Sequence, residues 1–133
     1  VRYLINLWLA CLALLLCLGC KPAEFETNAY NTLVIAGHTY DATMRATADA
    51  YGRGLITVEQ YDRAKDAARI CYGAYQTARI ALEEYVDADV HSESDRERIM
   101  STLTALALRL AELTEYARQI GVGVHNVREA DNG

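Results

Sequence analysis

Asp87, Asp89, His91 and Glu93 occupy every second position in the stretch VDADVHSESDRE, so three carboxylates and an imidazole fall within one short polar segment. Hard cations prefer oxygen donors of this kind. A calcium loop, however, needs a Gly at its sixth position and a bidentate Glu at its twelfth, and here those positions hold Ser92 and Arg98. The segment is therefore read as a solvated acidic turn, with no metal expected. His38 and His125 have no Cys, Ser or carboxylate at a spacing that would make either a general base or a zinc ligand. No Gly-rich phosphate loop occurs. These absences predict a non-enzymatic chain without a cofactor.

The remaining reactive groups are thiols. Of the four cysteines, Cys11, Cys17 and Cys20 lie in the N-terminal run YLINLWLACLALLLCLGC and only Cys71 lies beyond it. One cysteine in the body cannot form an internal disulfide, and Cys71 falls in a helical seam as a small buried hydrophobe. Arg2 followed by a long uncharged stretch fits the charged and apolar regions of a secretory signal. The run is also close to the lower limit of about seventeen apolar residues for a membrane span.

The end of that run, Cys17-Leu18-Gly19-Cys20, resembles the lipobox of bacterial lipoproteins. In that family a cysteine receives diacylglycerol before the chain is cut on its N-terminal side. The resemblance implies lipidation of Cys20 and cleavage between Gly19 and Cys20. It departs from the family where Cys17 replaces the usual Leu and where Leu18 is larger than the usual occupant. Lys21, in place of Asp, implies release to the outer membrane of a double-membraned bacterium. Val1 is expected to be an initiator position read from a non-Met start codon, which would make the chain an unprocessed precursor. The alternatives are an uncleaved inner-membrane anchor and a buried soluble helix. With either membrane reading, Arg2 is the positive flank that stays inside and the body faces the periplasm.

The chain has 133 residues, which suffices for one domain. Its formal net charge is -5, and without Arg2 the remainder is more acidic still. No Lys/Arg cluster offers the basic face a nucleic-acid partner needs, so none is expected. One Pro, one Phe and one Trp favour long helices and exclude an aromatic-rich groove.

Three helical seams follow. The first comprises Tyr30, Gly37, Met44 and Tyr51, with Leu33, Tyr40 and Thr47 between them, and ends at Gly52 or Gly54. The second opens on a capping box of Thr57 and Gln60, carries Tyr61, Ala64, Ala68, Cys71, Tyr75, Ala78, Leu82 and Tyr85, and runs to about Asp89. The third is expected to open on Ser94 with Glu97, to carry Ile99, Leu103, Leu106, Leu110, Leu113, Ala117 and Ile120, and to stop at Gly121 or Gly123. Short turns predict an all-α, antiparallel up-down-up three-helix bundle of rods roughly 45 Å long, following an N-terminal signal or anchor helix. The expected organisation is a signal peptide or anchor over 1–19, a tether over 20–24, the bundle over 25–121 and a tail over 122–133.

Ile35, Ile70, Ile80 and Leu108 fall off the seams. Singly exposed aliphatics are ordinary, but these four could also form a partner surface or a homo-oligomer contact. Taken whole, the lipobox-like end, the turn YGRGLITVEQYDRA and the Ala/Tyr-rich helices resemble a loose group of small prophage lipoproteins. The resemblance implies an envelope-tethered protein that acts by protein contact and has no catalytic residues. Two narrower roles accompany it: a superinfection-exclusion factor that blocks an outer-membrane receptor, and a spanin-like lysis subunit. The spanin role fits least, because such subunits are extended and Pro-rich.

Overall fold

A computed structural model describes residues 22–123; the lipobox-like segment with Cys20, Gly19 and the preceding apolar run, and the tail from 124 onward with His125, lie outside the described residues. The described chain forms α1 (Pro22–Gly52), α2 (Val58–Val86) and α3 (Glu93–Gln119), packed as an all-α three-helix bundle. Its antiparallel order can be read from the ends. Tyr51 at the close of α1 stacks on Tyr61 near the start of α2, at 4.5 Å and 2°. Phe25 at the opening of α1 meets Tyr85 near the end of α2 edge-on at 5.6 Å. Arg98 in the second turn of α3 pairs with Glu84 at 2.9 Å, while Tyr116 near its end donates to the Gln60 carbonyl at 3.3 Å.

The helix boundaries have local causes. Pro22 opens α1, where its fixed φ suits a first turn and its missing N–H costs nothing. Residues 22–24 of the expected tether are therefore helix. After α1, Gly54 takes φ +69°; its N–H donates to the Tyr51 carbonyl and the Leu55 N–H to the Ala50 carbonyl, each at 2.9 Å. This double closure needs a left-handed residue, which selects Gly54 over Gly52. The Thr57–Gln60 capping box then starts α2: the Gln60 N–H donates to Thr57 Oγ1 at 3.2 Å, and the Thr57 N–H donates to Gln60 Oε1 at 2.8 Å.

Two expected boundaries are corrected. α2 stops at Val86, three residues short of Asp89. α3 is capped by Ser92 with Asp95, not by Ser94 with Glu97. The Asp95 N–H donates to Ser92 Oγ at 3.1 Å, the Ser92 N–H donates to Asp95 Oδ2 at 3.3 Å, and the Ser92 hydroxyl donates to the same oxygen at 2.6 Å. The carboxylate of Asp, one methylene shorter than that of Glu, still reaches back across one turn, so the helix begins two residues earlier. At the far end Gly121, at φ +84°, folds the chain back, and the Val122 N–H donates to the Ala117 carbonyl at 2.9 Å. Val122 is buried with Ala50, Ile56 and Ala117, so the bundle extends through a position expected to start the tail.

The cores of α2 and α3 follow the expected seams: Ala64, Ala68, Cys71, Ala78, Leu82 and Tyr85 are buried, as are Ile99, Leu103, Leu106, Leu113 and Ala117. The stripe of α1 keeps the expected Leu33 and Thr47 but shifts by one residue along the other row, from Tyr30, Gly37, Met44 and Tyr51 to Ala29, Ala36, Thr43 and Ala50. Its buried residues are Ala29, Leu33, Ala36, Thr43, Thr47 and Ala50, while Tyr30 is 62% exposed and Tyr51 is 40% exposed. Small side chains at the centre let α1 approach its neighbours, and the tyrosines move to the edges where their hydroxyls stay wet. Thr43 and Thr47 can be buried because each hydroxyl donates to the carbonyl four residues back at 2.8 Å, leaving no unsatisfied oxygen.

Candidate functional site

A recess lies along the seam of α1 and α2, near the start of α1. It is a groove of about 540 Å³ with Leu33 and Leu82 at its base and Tyr30, Val34, Tyr75 and Val86 on its walls. A smaller depression shares Tyr75 and continues toward Gly37, Tyr40, Asp41 and Tyr72, with Cys71 and Leu106 beneath. The smaller depression forms where α1 presents Ala36 and Gly37. At Gly37 the Tyr75 ring lies 3.7 Å from where a Cβ would stand, an ordinary contact distance. The tyrosines line up along the seam, with Tyr72 and Tyr75 stacked at 6.5 Å and Tyr40 tilted toward Tyr72 at 6.2 Å. This corrects the expectation that one Phe and one Trp exclude an aromatic-rich groove, because tyrosines, of which the chain has nine, supply the rings.

The groove's polar residues sit on its rim and are mainly acidic: Glu26, Glu83 and Asp87 stand around its mouth and Asp41 beside its continuation. Arg79 is the one cationic residue lining either depression among the described residues, and it pairs with Glu83 at 3.0 Å. Glu26 lies 3.8 Å from His91 Nε2. Burial raises the pKa of the Cys71 thiol, which keeps it protonated and unreactive. Burial also raises Tyr40, with a smaller contribution from Cys71.

The acidic turn supplies packing. His91 stacks on the Tyr85 ring at 4.3 Å, and among the described residues no three His, Cys, Asp or Glu side chains are grouped to hold a metal ion. No helix among the described residues is long and apolar enough to cross a membrane. His38 is exposed on α1.

Ile35, Ile70, Ile80 and Leu108 are all exposed, between 48% and 66%. Leu108 lies two residues from the buried Leu106, about 200° around its helix, whereas Ile35 and Ile70 directly adjoin the buried Ala36 and Cys71, about 100° around theirs, and so flank the core. The sequence pattern places Tyr30 and Tyr75 in seams and so gives no sign of the groove. Gly37, inside a helical pattern, is a sequence signal only for the smaller depression beside it.

In comparisons with known proteins, no family model, curated protein or solved structure matches this chain.

Proposed function

We propose that this protein is a membrane-tethered, non-enzymatic contact protein of a bacterial envelope, held by lipid on Cys20 and facing the periplasm from the outer membrane, with a phage or prophage origin. The observation that carries the reading is the position of the helical body relative to the thiol. α1 begins at Pro22, two residues after Cys20, so a lipid there would hold the bundle by one end within about 7 Å of chain. The groove opens at that same end, beginning at Glu26 and Thr27. A helical rod with a recessed apolar face is suited to binding.

The test is the intact mass of protein purified from bacterial membranes, wild type beside Cys20→Ala. Loss of residues 1–19 with added acyl mass, both abolished by the substitution, is the expected result. An intact N-terminus in both would replace the lipid tether with a membrane-spanning anchor.

A further inference from the structure

We propose that the α1–α2 groove receives an amphipathic helix of a partner protein, with apolar residues along one stripe and Lys or Arg on its flanks. The proposal deepens the contact half of the function above and rests on it. The groove's apolar floor and walls run from the level of Glu26 to that of Asp41, about 22 Å along α1 at 1.5 Å per residue. That length takes about fifteen residues of helix, whose side chains at i, i+3, i+4 and i+7 would enter between Tyr30 and Val86.

Charge selects the flanks. Four carboxylates, Glu26, Asp41, Glu83 and Asp87, face one guanidinium, Arg79, which is already engaged with Glu83. A cationic helix would meet complementary charge at both ends, three carboxylates at the Glu26 end and Asp41 at the other, which favours both encounter and register. A second copy of this chain is disfavoured by the same feature. A two-fold interface places the same patch on both sides, so it would set acidic rim against acidic rim.

A synthetic peptide of about fifteen residues, with leucines in that stripe, lysines on both flanks and a benzophenone at a central apolar position, is irradiated with the full chain in detergent. Adducts are mapped by mass spectrometry. Adducts at Tyr30, Val34 and Val86 are expected, with the yield falling about tenfold or more in a Val34→Lys, Val86→Lys variant. Yield should also fall when the peptide's lysines become glutamates. Adducts that are absent, that persist in the double variant, or that form equally with a scrambled or Glu-flanked peptide overturn the proposal, as do chain-to-chain adducts within the groove. Should the double variant lose its helical circular dichroism, Glu83→Gln with Asp87→Asn removes the rim charge alone and must lower the yield. The adducts are read whether or not Cys20 carries lipid, so failure of the tether and failure of the groove are separate results.

Discussion

Arg96 Nε donates to the Tyr85 hydroxyl at 3.2 Å, joining the start of α3 to the end of α2 while the Tyr85 residue stays 1% exposed. The same ring meets Phe25 edge-on and His91 face-on, and the Arg96 guanidinium also stands 5.6 Å over Phe25. One aromatic therefore touches α1, α3 and the turn before α3. Tyr85→Ala should cost about 3–5 kcal/mol through the cavity it leaves. Tyr85→Phe should cost about 1 kcal/mol, the net worth of the hydroxyl contact. Urea unfolding followed by circular dichroism separates the two, and equal losses would contradict the role of the ring.

The capping residues give a second prediction. Ser92→Ala should destabilise α3 by about 1 kcal/mol, while Ser94→Ala, an exposed position inside the helix, should change stability by less than about 0.5 kcal/mol. The reverse order would place the helix start where the sequence pattern first suggests it. Thermal unfolding of both variants decides.

Acid sensitivity follows from two carboxyls. Hydrogen bonds from Ser92 lower the pKa of Asp95, and hydrogen bonds from Arg118 and Gln119 hold Glu115 at about 2. Both are depressed in the folded state, so each stabilises the fold at pH above its unfolded value and loses that contribution as pH falls through its folded value. Helicity should therefore drop between about pH 4 and pH 2, with a smaller drop in the Asp95→Asn, Glu115→Gln variant. An identical acid titration in wild type and variant would exclude these groups.

Glycines divide by backbone geometry. Gly54→Ala should cost about 1–2 kcal/mol, because its φ of +69° is a left-handed conformation that a Cβ opposes. Gly37→Ala should stabilise by about 0.5–1 kcal/mol, since its helix is regular and the new Cβ would meet Tyr75 at an ordinary contact distance of 3.7 Å. Denaturant midpoints measure both, and the opposite signs are the point of the comparison.

Thr43 and Thr47 are buried yet bonded only to their own helix. Replacing either with Val keeps the shape and removes a hydroxyl whose partner carbonyl belongs to the helix ladder. Stability should change by less than about 1 kcal/mol, in either direction. A larger loss on thermal unfolding would mean that the hydroxyls serve contacts between helices.

The helices could be read from the sequence because Leu, Ile and Ala recur strictly through α2 and α3, from Ala64 to Tyr85 and from Ile99 to Ala117. The phase of α1 could be read only in part, at Leu33 and Thr47. Tyr30 and Tyr51 count as apolar in a periodicity reading, but their hydroxyls favour the bundle edge, and Ala and Thr take the centre because proximity there matters more than side-chain size. The cap of α3 is ambiguous in the sequence because Ser92–Asp95 and Ser94–Glu97 overlap in one segment, and only backbone geometry chooses between them. The groove is lined by residues of both α1 and α2, from Glu26 to Val34 and from Tyr75 to Asp87, so it depends on how the two helices pair, which no single helix encodes.

The small side chains of α1 also have a mechanical consequence. Leu33 is the one large aliphatic in its buried stripe, whereas α3 contributes Ile99, Leu103, Leu106 and Leu113 and α2 contributes Leu82 and Tyr85. A pulling force applied at the Pro22 end would act on the least firmly held helix at its terminus, parting it from the others turn by turn rather than sliding all its contacts at once. The first contacts to yield would be those of Phe25 with Tyr85 and Arg96. The bundle would then give way as a peeling strip, with the α2–α3 hairpin left behind as the unit that still bears load.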